Sequence, residues 1–367
     1  MDKISFYNLT KPQSHIIKTI AITLIILHNY IHWQTWIGEN EMDFDIDILY
    51  NLRNAILETP IWIFNYLISY FGHFGVELFI FISGYGLAKK MMQREAGGYF
   101  SYLIPRLLKL YSLWIFALLI TYLLVYDVVP EDDNYIVYMF RSLSFINNIS
   151  FDQIFLFYSM GPIWYFALAA QLYIIFPLIY FLLNKYQEKG FYLLIIVAYV
   201  LIYILYPIAT EYNVPLFGNF IGHLPEFSFG VAMAMFPNFK LSYKVLFPVF
   251  IVFMLSNFFE CLFPLSFLST TILLLVLLRP MYNYSFSEKS VIKKVLVFIA
   301  SISMFMFCIN GPLRLYTMDF LFNINPYVPE LNGYIHLLIV ILFAYLLSLI
   351  YRPLFNKLVT PIIRRFV

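Results

Sequence analysis

The sequence predicts an all-α membrane protein, a bundle of about ten transmembrane helices, and three observations carry that prediction. Of its 367 residues, 62% are hydrophobic and only 12% are charged. Soluble domains run at roughly half apolar and a quarter charged. The mean hydropathy is +0.79, and a 43.5 kDa globule has too little interior to hide so much apolar side chain. The apolar residues also fall into runs of the roughly 20 needed to cross a bilayer. A soluble enzyme, a disordered chain and a nucleic-acid binder are excluded, and the partner implied is the lipid bilayer.

A polar segment, 1–14, opens the chain and is expected to be cytoplasmic. The first span follows at about 15–33. The next run, 61–91, is too long for one upright helix. Phe71-Gly72-His73-Phe74-Gly75 is expected to break it into a short interfacial piece and a true span. Further spans are expected near 104–126, 163–183, 191–209, 218–236, 243–260, 262–280, 292–313 and 333–352. The seventh and eighth touch at Cys261-Leu262-Phe263-Pro264. A single membrane domain thus covers 15–353, and a basic cytoplasmic tail, 354–367, closes the chain. The cysteines, Cys261 and Cys308, show neither metal-ligand spacing nor a disulfide framework, and no metal site is expected.

Charge tests this count. With the N-terminus inside, every one of the 23 Lys and Arg except Arg53, Arg141 and Arg314 falls on the cytoplasmic side. Loops rich in Lys and Arg stay cytoplasmic, and a wrong span count would scramble the alternation. Most acids fall outside, including the run Glu39, Glu41, Asp43, Asp45 and Asp47. The longest outer loops, about 34–60 and 127–162, are where an extracytoplasmic ligand is first met. No internal repeat is visible, which weakens an inverted-repeat transporter reading.

Polar groups at membrane depth are the informative residues, because charge there is costly. His28 and His32 lie four apart and share a helix face near the outer end of the first span. They serve as interfacial anchors or as a general base, since imidazole is the usual proton acceptor near neutral pH. Glu77 opens GVELFIFISGYGL, and an unpartnered carboxylate costs about 2.5–3.5 kcal/mol at a helix centre. It must be paired, protonated or near the interface. Ser83-Gly84 suits close helix packing. His223 and Glu226, three apart in GHLPEFSFG, can satisfy one another or form a proton relay, and Pro225 is expected to open the helix there. Ser301, Ser303, Asn310 and Arg314 point toward the outer end of the ninth span. Arg106 and Lys109, after Pro105, are topology anchors or a cationic clamp for phosphates.

Taken together these motifs resemble the acyltransferase-3 family of integral membrane acyltransferases, over about residues 10–355 and in the family's order. GVELFIFISGYGL, Gly75 to Leu87, is similar to the family's GVDLFFVLSGFLI. Pro105-Arg106-Leu107-Leu108-Lys109 resembles its basic Arg-x-x-Arg entry to the third span, with Lys109 in place of the second Arg. WYFALAAQLYIIFP, from Trp164 to Pro177, resembles the Trp-rich fourth-span motif, but Ala169 and Ala170 stand near the place of its usual acid. HLPEFSFGVAMA and SISMFMFCINGPL resemble two later motifs, with Asn310 where His is common. The family's first-span Arg is followed eleven residues on by His. Counted from Lys18 that position is Asn29, and His28 comes one residue early, rotated by about 100°.

The resemblance implies an acyl-CoA donor, acetyl-CoA first, held from the cytosol, and no tightly bound cofactor. Lys18, Arg106, Lys109 and Ser83 would meet the donor. His28 would deprotonate an acceptor hydroxyl, with Asn29, Glu77, Glu226 and Asn310 completing the catalytic set. His32, His73, Trp164, His223 and Arg314 would face the acceptor, a cell-surface glycan or related alcohol. A multi-pass protein of the bacterial cytoplasmic membrane is the implied setting. Two other readings stay open from the residues alone: a transporter or flippase for a glycan or lipid-linked sugar, and an inactive family member.

Overall fold

The computed structural model describes residues 3–4, 9–35, 37–38, 40–93, 98–125, 140, 143–149, 164–284, 287 and 290–366. Arg94, Arg141, Lys289 and most of the 127–162 loop lie outside them. The architecture is all-α, as the composition predicts. Seven helical segments among the described residues are long and apolar enough to cross a membrane. The one sheet described is a clasp of two-residue strands, in which Lys3–Ile4 pairs antiparallel with Leu241–Ser242.

The first span is α1 (Lys11–Thr35), which starts four residues earlier than expected, inside the segment read as polar. Next comes α2 (Ile46–Glu58), where Asp45 caps the helix by accepting the Asp47 amide at 2.9 Å. The long second run breaks where the glycines predict. It forms α3 (Ile63–Phe71), a 3-10 turn over Gly72–Phe74, and α4 (Gly75–Met92). The third span is α5 (Tyr99–Val125).

Four later runs differ from expectation. The fourth and fifth form one element, α6 (Trp164–Glu211), divided only at Gln187, where φ is 53° and ψ is −141°. A single left-handed residue therefore replaces the expected loop. The sixth, α7 (Leu224–Met235), is only 12 residues long, because a 3-10 turn over Leu216–Gly218 is followed by bend and turn over 219–223. Pro225 does not open this helix; it sits in the first turn, where no amide donor is needed. The seventh, α8 (Tyr243–Ser256), is also short, and a 3-10 turn over Glu260–Leu265 leads into α9 (Ser266–Leu277). After the short α10 (Arg279–Asn283) come α11 (Val291–Ile324) and α12 (Asn332–Leu358). The tail remains helical as α13 (Thr360–Ile363).

At the centre, α1 packs against α3, α4, α10, α11 and α12, while α4 lies closest to α7. That closeness has a reciprocal cause. A Cβ on Gly230 would lie 2.2 Å from the Phe81 carbonyl oxygen, and one on Gly84 would lie 2.4 Å from that of Phe227. Each glycine accepts the other helix's backbone, as small residues do at helix crossings in membranes. Large apolar side chains such as Leu123, Leu193, Ile196 and Leu338 stay exposed on the outer faces, the surface a lipid solvent requires.

Candidate active site

The break in the second run builds the first cluster. A Cβ on Gly72 would lie 2.6 Å from the His28 Cβ, so only glycine lets the 72–74 turn sit against α1. The turn brings His73 edge-on to His28, with ring centroids 5.4 Å apart. His32 stacks on His28 at 4.8 Å. Three imidazoles predicted from separate positions thus meet at one end of the bundle. His28 and His73 are buried, and His32 is half-buried. His28 donates its Nδ1–H to the Ile68 carbonyl at 3.3 Å, and His32 donates its own to the His28 carbonyl at 2.9 Å. Both rings therefore keep the basic lone pair on Nε2.

Glu77 is the third residue of α4 and Glu226 the third of α7. In a first helical turn, unsatisfied amide groups and the helix dipole favour negative charge. The two buried carboxyls are near enough to interact electrostatically. Glu77 Oε2 and both Glu226 oxygens have no hydrogen-bond partner among the described residues. His223 stands beside Glu226, as the three-residue spacing predicts, but without a hydrogen bond between them. Its Nε2–H donates to the Phe217 carbonyl at 2.6 Å, while Nδ1 stands 3.7 Å from Glu226 Oε2 without a hydrogen bond.

Asn310 and Arg314 enter a different network. Asn310 Oδ1 accepts from His336 Nε2 at 2.9 Å, His336 Nδ1 meets the Thr317 hydroxyl at 2.7 Å, and Tyr30 stacks on the His336 ring at 4.6 Å. Tyr30 follows His28 by two residues, so this network faces another side of α1. Arg314 donates to the Asn29 carbonyl at 2.8 Å and lies over the Trp33 ring. The Asn29 backbone, not its amide, is the group engaged. His336 was not singled out from the sequence, because a lone histidine in a tenth apolar run carries no spacing signal.

At the other end of α1, Lys18 lies within electrostatic reach of Lys90, and Lys90 within reach of Arg106 and Lys109. Sequence reasoning counted Lys90 only as an anchor. Arg106 donates to the Tyr102 carbonyl at 2.6 Å and stacks on that ring at 3.9 Å. Ser83 bonds the Tyr173 hydroxyl, which is also near Arg106. No carboxylate among the described residues forms a salt bridge with Lys18, Lys90 or Lys109. Between the basic and imidazole ends, a water-sized void of about 10 Å³ is lined by Ile25, Val76, Phe79, Tyr165, Met304 and Phe307, with Ser303. Trp164, buried at the start of α6, stands edge-on to Tyr165 at 6.2 Å.

Along α1, His28 is ten residues from Lys18, about 15 Å by helical rise. The helices that carry the basic cluster therefore also carry, or directly adjoin, the imidazoles and Glu77. No curated protein and no solved structure matches the chain. The profile of the acyltransferase domain does match, over residues 13–353. This chain belongs to the acyltransferase-3 family of integral membrane acyltransferases.

Proposed function

We propose that the protein transfers an acyl group, acetyl first, from cytosolic acyl-CoA to a hydroxyl of a glycan or related acceptor. It does so as a ten-span protein of a bacterial cytoplasmic membrane with both termini inside. The observation that carries this reading is the shared scaffold of the two clusters. Lys18, Lys90, Arg106 and Lys109 form a cationic mouth suited to the donor's phosphates. His28 lies about 15 Å further along α1, a separation that an extended pantetheine arm can bridge. Ile25, which lines the void, falls between Lys18 and His28 on that helix.

In the reaction His28 Nε2 takes the proton of the acceptor hydroxyl. The acceptor oxygen attacks the thioester carbonyl, forming the ester C–O bond. The C–S bond breaks, and the CoA sulfur leaves with the electron pair and takes the proton from the imidazolium. No net proton is gained or lost. His32 and His73 hold the His28 ring. The buried, unsatisfied oxygens of Glu77 and Glu226 are hydrogen-bond acceptors, and an acceptor rich in hydroxyl donors would satisfy them. That chemistry favours a sugar over a simple alcohol.

The test uses purified full-length protein in detergent with radiolabelled acetyl-CoA. Transfer or slow hydrolysis, together with a crosslink from CoA phosphate to Arg106 or Lys90, is expected. Neither CoA binding nor thioester turnover would leave the basic cluster a topology anchor and end the enzymatic reading for this chain.

A further inference from the structure

A second site stands apart from the clusters above. A cavity of about 270 Å³ opens where α1, α10 and α11 meet at the basic end. Its rim is polar: Thr10, Gln13, Asn283, Tyr284 and Lys293. Its apolar lining is Ile16, Leu296 and Val297, with the buried Tyr282. Ile16 and Lys18 are two residues apart, about 200° around the helix, so this cavity faces away from the Lys18–Lys90 mouth.

The walls are tied together by bonds that need no ligand. Gln13 Nε2 donates to Asn283 Oδ1 at 2.8 Å, and Gln13 Oε1 accepts from the Thr10 amide at 2.7 Å. The Tyr282 hydroxyl donates to the Leu275 carbonyl at 3.1 Å, and Thr19 donates to the Leu296 carbonyl at 2.6 Å. With its carbonyl oxygen engaged by Gln13, Asn283 still presents amide donors at the rim, beside the Lys293 ammonium. Donors and a cation beside an apolar lining suit an anion that carries a hydrocarbon stem.

We propose that this cavity binds the phosphodiester headgroup of an anionic membrane phospholipid. The phosphate meets Lys293 and Asn283, and the glycerol and upper acyl chain lie on Ile16, Leu296 and Val297. A lipid is favoured over a free phosphate because Val291, Ile292 and Val295, on the same turns of α11, are exposed apolar residues. The cavity thus borders the surface that lipid covers. Basic pockets between helices at a cytoplasmic membrane face commonly take such headgroups.

The test is native mass spectrometry of the full-length protein in neutral detergent. Dioleoyl phosphatidylglycerol is titrated in one arm, and dioleoyl phosphatidylcholine, inorganic phosphate and CoA in the others. One phosphatidylglycerol should be retained in preference to phosphatidylcholine. Lys293→Gln should weaken it about fivefold or more, as one surface cation does, and Asn283→Ala should weaken it further. Lys293→Arg should retain binding, which separates lost charge from lost folding, and Lys357→Gln should change nothing. Equal retention in Lys293→Gln and wild type overturns the proposal. So does displacement of the lipid by CoA or phosphate acting at Lys293, which would make the cavity a nucleotide or phosphate site.

Discussion

His28 is buried between two other imidazoles, and its value to the reaction can be separated from its packing. Loss of a general base costs about 10²–10⁴ in rate, so His28→Ala is expected to abolish measurable transfer while CoA binding persists. His32→Ala should lose much less, because His32 acts on the His28 ring, and Asn29→Ala should lower turnover without changing its pH profile. Single-turnover acetyl transfer from the purified variants measures all three. Full turnover in His28→Ala would move the base to another imidazole. At the basic end the expectation is about affinity. Arg106→Ala removes a charged hydrogen bond worth about 1.5–3 kcal/mol, roughly a ten- to hundredfold loss of CoA affinity. Calorimetric titration with CoA reads this directly. Residue identities in these clusters were legible in the sequence: His28, His32, Glu77, Glu226, Lys18 and Arg106 all stood out as polar groups in apolar runs. Lys90 and His336 did not. A lysine at a helix end has the same signature whether it anchors a span or lines a mouth, and an isolated histidine has no periodic partner.

Among the elements, the sequence located the apolar runs but not the closeness of their packing. The break at Gly72–Phe74 was legible because glycines flank it. Its consequence, His73 against His28, depends on the fit of Gly72 to the His28 Cβ, and no local pattern encodes that. Gln187 carried no turn signal, so the single-residue junction inside α6 was invisible. The expected length of α7 is too great because 218–223, Gly-Asn-Phe-Ile-Gly-His, adjoins the apolar run yet carries two glycines and an asparagine, which favour turn over helix. The α4–α7 crossing yields a paired prediction. Gly230→Ala places a methyl group 2.2 Å from the Phe81 carbonyl, so the helices must separate. Overpacking of this kind costs about 1–3 kcal/mol, and a lower Tm with reduced CoA binding is expected. Gly86, on α4, has nothing within 4 Å of such a Cβ. Gly86→Ala should therefore hold or raise Tm, since alanine is favoured over glycine in a helix by up to about 1 kcal/mol. If both variants melt alike in a thermal-shift assay, the crossing is not set by the glycine.

At the scale of the whole molecule, the arrangement of charge decides how the chain sits in the bilayer. The apolar runs all fall on helix once α6 is divided at Gln187, the second run is taken as α3 with α4, and the shorter α7 and α8 are counted. Nearly all Lys and Arg then gather at the end that carries Lys18 and Lys90, while Glu41, Asp43, Asp45 and Glu58 gather at the other. The positive-inside bias predicts a cytoplasmic basic end, the side on which the proposed acyl-CoA donor would be met. Two positions test this orientation. Glu58, the exposed last residue of α2, is expected outside, and Lys240, exposed beside the strand clasp, inside. In a Cys261→Ser background, which removes the exposed native thiol, Glu58→Cys should react with a membrane-impermeant maleimide in intact cells. Lys240→Cys should react only after the membrane is opened. Because Lys240 follows α7 and precedes α8, α7 must cross for Lys240 to share a side with Lys18 while Glu58 lies opposite. Labelling of Lys240→Cys in intact cells would remove α7 from the span count. It would also place the loop beside the N-terminal strand on the wrong side for a cytosolic donor.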